Sequence, residues 1–228
     1  MELTGEYNIQ THKDIISIET VDKLQAIIGD YFNHEIMNWV INFDRPIQIK
    51  YGNFVERNKG RFEIIPSSII EKEIWHLLRE NFMFSQVNHK IKSVIKSNYP
   101  KENVVEELCI LPLEGNVPCG NWHRDIYFSS DDVWSKDTYY ITQVIYLDNL
   151  SDTEFCLDSQ NNSDHNDILY EKEIFHAESG WSVSFDGRMI HRGLQNRSST
   201  TRYAIYISYH ISSYIDEESV MQYAQFTL

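Results

Sequence analysis

Long apolar runs are missing from this chain of 228 residues, and none approaches the roughly 18 consecutive apolar positions of a membrane-spanning helix. The first residues, MELTGEYNIQTHKD, hold neither a basic region nor an apolar stretch, which predicts no secretory signal and a cytoplasmic protein. Cysteine is scarce too. Cys109, Cys119 and Cys156 are odd in number and irregular in spacing, which argues against a disulfide framework and for free thiols in a reducing compartment. No Cys-x₂₋₄-Cys pair exists, so Cys119, four residues before His123, does not signal zinc. Basic residues are outnumbered, 20 against 34 acids, for a net charge of −14. Such a surface repels phosphate backbones and anionic lipid, so nucleic acid and membrane are poor partners, and a neutral or cationic small molecule suits it better than a polyanion. Repeats and interdomain linkers are absent as well.

Aromatic and branched residues are plentiful. Apolar residues make up 42% and aromatics 13%, enough for a substantial core, and the 14 tyrosines and 11 phenylalanines favour β-structure. Residues 20–42 carry a helical period through Val21, Leu24, Ile27, Ile28, Tyr31 and Phe32. Residues 43–66, with Pro46, Gly52, Gly60 and Pro66, read as short strands and turns. A second helix begins after Pro66, where Ser68 and Glu71 have capping-box spacing, and runs on to Lys90, Lys92 and Lys96. After Pro100 the segments VVEELCILPL, YYITQVIYL, GWSVSF and RYAIYISYHI read as strands, and DSQNNSDHND (158–167) as a polar loop. The expectation is one domain over 1–228, mainly β with N-terminal helices (α+β): a helical part, 1–100, packs on an antiparallel barrel or sandwich, 101–215.

His-x-Asp occurs three times, at His12-Lys13-Asp14, His123-Arg124-Asp125 and His165-Asn166-Asp167. On a strand this spacing sends both side chains off one face, and alone it reads as a hydrogen-bonded polar pair. A mononuclear Fe(II) oxygenase site adds a distant second His, with the opposite metal face open. A 2-oxoglutarate co-substrate further requires an Arg for its distal carboxylate. His12 fails this test, because His76 and His89 lie in helical sequence with no Arg at the right distance beyond them. His165 fails because it sits in the polar loop, with His191 too near and nothing basic after His210. His123-Asp125 passes: His191 follows Asp125 by 66 residues, across two β-like segments, and Arg202 lies eleven beyond His191.

WHRD followed by GWSVSFDGRMIHRGLQNRSSTTRYAIYISY resembles the non-haem Fe(II)/2-oxoglutarate dioxygenases, particularly the phytanoyl-CoA dioxygenase-like group. Gly180, Phe185, His191, Gly193, Asn196, Ser198 and Arg202 stand where that group's last motif block has them, and ITQVIYLDN (141–149) looks like its strand after His-x-Asp. The resemblance covers residues 105–210. The stretch SDTEFCLDSQNNSDHND departs from the group's Asn-Gly-Pro-Leu and Pro-Gly-Ser-His pattern, and the first 100 residues have no counterpart. The resemblance implies a double-stranded β-helix (jelly-roll, cupin-like) core. It implies that His123, Asp125 and His191 bind Fe(II), and that Arg202 pairs with 2-oxoglutarate. Gln143, a polar residue in mid-strand, is a further co-substrate candidate. A carboxylate at Asp125 favours hydroxylation, desaturation or ring formation, with O₂ as oxidant, over halogenation. Trp122, Tyr127, Trp134, Tyr139 and Tyr140 are candidate substrate walls. His176 and His210 read as satisfied strand residues. The alternatives are a cupin-like metal-dependent isomerase or binding protein, and a prolyl-hydroxylase-like enzyme acting on a peptide.

Overall fold

The computed structural model of the chain describes residues 8–42, 50–51, 54–126, 140–149, 151–162 and 166–211. Tyr127, Trp134, Tyr139 and His165 lie outside the described residues. In chain order the elements are β1 (Gln10–His12), α1 (Ile18–Asn42), β2 (Lys50–Tyr51), β3 (Phe54–Asn58), β4 (Arg61–Ile64), α2 (Ser68–Arg79) and α3 (Phe82–Asn98). There follow β5 (Val104–Leu113), β6 (Tyr140–Tyr146), β7 (Thr153–Cys156), β8 (Lys172–Phe175), β9 (Ser182–Asp186), β10 (His191–Gly193) and β11 (Arg202–Ile211).

Two antiparallel sheets face one another. The large one runs β1-β9-β6-β11-β5-β4-β3-β2 and the small one β10-β7-β8. His123 adds a bridge to His191, so the His-x-Asp segment becomes a fourth, minimal member of the small sheet. This is a double-stranded β-helix. Strands from before residue 100 extend the large sheet at both edges: β1 pairs with β9, and β4 with β5. The N-terminal part is therefore built into the sheet as well as packed on it.

The central strands β6 and β11 are buried on both faces, and alternation sorts their side chains into two cores. Ile141, Ile145, Ile205, Ile207 and Tyr209 join Val21, Leu24, Ile28 and Phe32 of α1, and Phe84, Ile91 and Ile95 of α3, in an outer core under the helices. Val144 and Tyr146 meet Phe155, Val183, Phe185 and Met189 in an inner core between the sheets. Each fully buried side chain of this size contributes about 1.5–3 kcal/mol, so both layers are needed to hold β6 and β11 in place.

The helix expected to run unbroken from Ser68 to Lys96 is two helices. Asn81 interrupts it with an extended backbone (φ −87°, ψ 118°). Its side chain donates to the Leu77 carbonyl and Thr20 Oγ1 and accepts from the Ser17 amide. These bonds tie the break to the start of α1. The N-cap is Ser67, not Ser68, and it makes no side-chain cap bond; Glu71 instead accepts from Trp75 Nε1.

Gly180, just before β9, has φ +83°, a backbone that favours glycine, and a Cβ there would lie 2.8 Å from the Ile16 carbonyl oxygen. That carbonyl approach lets the β9 entry turn accept from the Ile15 amide.

Candidate metal and co-substrate site

His123 and His191 face each other across their bridge, each backbone amide donating to the other's carbonyl at 3.0 and 2.9 Å. Each ring is then fixed by the same device. Nδ1 of His123 bonds the Asn121 carbonyl at 2.9 Å, and Nδ1 of His191 bonds that of Met189 at 3.0 Å. A carbonyl only accepts, so each Nδ1 carries the proton and each Nε2 presents a lone pair. Both Nε2 atoms point toward Asp125 Oδ1, at 3.8 and 3.5 Å. The ligand atoms all lie within 4.8 Å of one another.

Burial pushes both imidazoles down to about 4, His123 also through its proximity to His191, so they are neutral at pH 7. Burial raises Asp125 to about 6, against the opposing pull of His123 and of the Thr142 hydrogen bond. Three electron-pair donors thus converge with no proton between them. Two imidazole nitrogens and a carboxylate oxygen fit a divalent transition metal in chemistry, and a cation there relieves the repulsion among them.

Asp125 is held through its other oxygen. Thr142 Oγ1 donates to Oδ2 at 2.5 Å, leaving Oδ1 as the atom turned to the histidines. The Asp125 amide donates to the Gly187 carbonyl at 2.9 Å. Gly187 has no room for a side chain, since a Cβ would run into the Tyr140 ring. The turn around it is braced by the buried, forked pairing of Arg188 with Asp186.

Between His123 and Asp125, Arg124 turns the other way and is 2% exposed. Its guanidinium donates to the carbonyls of Ser159, Asn162 and Arg188. Residues 159–162 thus act as a latch: Ser159 is fully buried, and its hydroxyl accepts from the Ile190 amide next to His191. Phe155 and Phe185 pack on the His191 ring at 6.0 and 4.6 Å between centroids.

A cavity of about 390 Å³ opens from the triad, and Arg202 lines it together with His123, Asp125 and His191. Arg202 begins β11 opposite Leu113 and donates from Nη2 to the Gln195 carbonyl at 3.2 Å. The strand's start is set by Asn196, whose amide nitrogen reaches the carbonyls of Leu113, Glu114 and Thr200 while its oxygen accepts from Ser198. Tyr146 and Thr153, hydroxyl to hydroxyl at 2.6 Å, also line the cavity.

Gln143 is not part of this cavity. It lies on the opposite face of β6 from Thr142, fully buried, donating to Ser182 Oγ at 3.2 Å and accepting from the Tyr209 hydroxyl at 2.8 Å. Strand alternation turns it away from this cavity: the polar partners its burial demanded are found on the outer-core side. Trp122 is likewise outside the cavity lining, with the Arg192 guanidinium 4.2 Å and the Lys172 ammonium 5.1 Å from its ring centroid, whereas Tyr140 lines the cavity. His12 bonds Ser184 Oγ at the sheet edge. His176 is exposed beside Asp152. His210 is buried but unsatisfied, with neither ring nitrogen hydrogen-bonded. Thr142 on Asp125, Arg124 on the 159–162 carbonyls and Tyr146 in the cavity wall are contacts that no motif in the sequence signals.

A double-stranded β-helix with two histidines and a carboxylate turned into its open end defines the class of site. Neither a family model nor a curated protein sequence matches the chain. Among solved structures, AviO1 from Streptomyces viridochromogenes Tue57 superposes with a TM-score of 0.61 at 14% identity, covering 93% of each chain. The non-haem α-ketoglutarate-dependent carbocyclase SnoK of nogalamycin biosynthesis gives 0.56 at 14%, over 90% of this chain and 80% of that one. EctD from S. alaskensis, solved with 2-oxoglutarate and 5-hydroxyectoine, gives 0.57 at 12%, over 91% and 73%. At these identities the likeness is one of fold.

Proposed function

We propose that the protein is an Fe(II)/2-oxoglutarate-dependent oxygenase acting on a small-molecule metabolite. The observation that carries this reading is the single cavity shared by the His123–Asp125–His191 donor set and the Arg202 guanidinium. His123 and His191 would hold the metal through Nε2, their tautomers fixed by carbonyls, and Asp125 through Oδ1, since Thr142 occupies Oδ2. Arg202 binds the distal carboxylate of 2-oxoglutarate, and Tyr146 and Thr153 flank that end of the cavity. When bound, iron, 2-oxoglutarate and O₂ together supply the oxidising power to break a substrate C–H bond, with release of succinate and CO₂. The chain's own part is to hold the three donors on one side and keep the opposite face open to the cavity.

Hydroxylation, desaturation or cyclisation is the outcome in keeping with a carboxylate ligand at Asp125. The block from Gly180 to Arg202 is what supports a place beside the phytanoyl-CoA dioxygenase-like group. The net charge of −14 supports a neutral or cationic substrate. The three unpaired thiols and the lack, among the described residues, of a helix able to cross a membrane are in keeping with a cytoplasmic enzyme.

Calorimetric titration of the iron-loaded protein with 2-oxoglutarate under anaerobic conditions tests the reading. Arg202→Ala weakens binding at least tenfold if Arg202 holds the co-substrate. Indifference to the substitution favours a cupin-like metal site without 2-oxoglutarate.

A further inference from the structure

Accepting the oxygenase reading above, we infer that Glu107 is the anchor for an ammonium group on the substrate, at the end of the cavity opposite Arg202. β11 is the rail that relates the two ends. Arg202 opens the strand, and Ser208, six residues on, pairs with Glu107 of β5 on one side and with Thr142 of β6 on the other. Glu107, Ser208 and Thr142 therefore form one cross-strand row, and Thr142 holds Asp125. With neighbouring strands about 4.8 Å apart, the row sets Glu107 roughly 10 Å from the residue that carries the metal ligand. An amine bound at Glu107 leaves a body a few bonds long reaching toward the donor set.

Among the described residues, the charges lining the cavity leave Glu107 without a cation. Glu63 is paired with Arg57 at 2.7 Å. The Arg61 guanidinium donates to the carbonyls of Pro118, Gly193 and Leu194. Asp152 lies 3.3 Å from His176, and Asp125 belongs to the metal. Among the described residues the only ion-pair partner of Glu107 is His210, with Nε2 3.7 Å from Oε2. That imidazole is 4% exposed, stacks on the Tyr140 ring, and has no hydrogen bond at either nitrogen. Burial depresses it to about 4, so at pH 7 it is neutral, and the Glu107 carboxylate, 66% exposed, faces the solvent side of the cavity with its charge met by water alone.

The remaining walls are mostly apolar. Phe62, Ile65, Cys109, Leu111 and Val144 line the cavity between Glu107 and the co-substrate end. One unmatched carboxylate beside an apolar wall recognises a compact amine with a hydrocarbon or aromatic body. The oxidisable carbon would lie within that body, away from the nitrogen.

The probes are phenethylamine, cationic at pH 7, and 2-phenylethanol, its neutral counterpart of equal size. Each is titrated calorimetrically into the full chain, with and without anaerobic Fe(II) and 2-oxoglutarate. The amine is expected to bind at least tenfold more tightly than the alcohol. Glu107→Gln is expected to remove that preference while leaving 2-oxoglutarate affinity within twofold of wild type. Glu107→Lys is expected to shift the preference to 3-phenylpropionate. Equal affinities for amine and alcohol in the wild-type protein, measurable or not, overturn the proposal, as does an unchanged preference in Glu107→Gln. Loss of 2-oxoglutarate binding in the wild-type protein instead overturns the oxygenase reading, so the two failures are read from separate titrations.

Discussion

Replacing Thr142 by Val removes one hydroxyl and almost no volume. Thr142 is fully buried in the middle of β6, and its Oγ1 donates to Asp125 Oδ2 at 2.5 Å. Val keeps the β-branch that suits the strand, so the backbone and the flanking Ile141 and Gln143 are expected to stay in place. What changes is Asp125. Its side chain is 8% exposed, so the vacated oxygen finds little water to replace the lost donor. A hydrogen bond to an ionised group is worth about 1.5–3 kcal/mol, and a lost supporting bond behind a metal ligand typically weakens metal affinity by roughly 10- to 100-fold. Because that bond also lowers the Asp125 pKa, its removal moves the acid limit of metal binding to higher pH. Anaerobic competition titration of Fe(II) against a chromophoric chelator measures the effect directly. Thr142→Ser, which keeps the hydroxyl, recovers most of the affinity. Metal affinity within twofold of wild type in Thr142→Val refutes the role assigned to this bond.

Gln143→Leu, one residue away, separates the two faces of β6: it strips bonds from Ser182 and Tyr209 and lowers stability by about 1–3 kcal/mol in denaturant titration, with 2-oxoglutarate affinity unchanged. Gly187→Ala drives a methyl into Tyr140 and is expected to cost about 1–3 kcal/mol, and with it metal affinity, since the Gly187 carbonyl holds the Asp125 amide. Gly29→Ala is the contrasting case. Its Cβ meets only the Tyr203 side chain, at ordinary van der Waals distances of 3.6 Å and beyond, inside α1, so a gain of about 0.5–1 kcal/mol is expected by the same measurement. The metal-free protein is expected to lose thermal stability as pH falls from about 6.5 towards 4. His123, His191 and His210 are each lowered to about 4, so over that window the unfolded chain binds more protons than the folded one. Asp125, raised to about 6, acts in the opposite sense but is one group against three. A flat melting temperature from pH 7 to 5 would contradict these shifts.

The parts of the fold that reached the sequence were those with one clear period. The α1 face and the strands after Pro100 are amphipathic or β-branched enough to be recognised. The break at Asn81 was not visible, because it depends on tertiary bonds to Ser17 and Thr20 rather than on a local breaker. The small-sheet bridge between His123 and His191 was also beyond the sequence, although their spacing to Arg202 pointed to a common site. Gln143 shows the limit most clearly. β6 is buried on both faces, so hydrophobic alternation does not say which of its residues face the cavity, and nothing in the sequence turns Gln143 away from it. His210 read as an ordinary strand histidine. Its lack of hydrogen bonds follows from the Tyr140 ring and Glu107, both brought to it by pairing with distant strands.

The central claim is that one cavity holds Fe(II) on His123, Asp125 and His191 and 2-oxoglutarate on Arg202. Adding Fe(II) and then 2-oxoglutarate to the protein without oxygen tests it most directly, by the weak visible charge-transfer absorption of such a chelate. The expected result is a band that saturates with 2-oxoglutarate, disappears in His191→Ala, and needs at least tenfold more 2-oxoglutarate in Arg202→Ala. Iron demonstrably bound, with no band at any 2-oxoglutarate concentration, would contradict it.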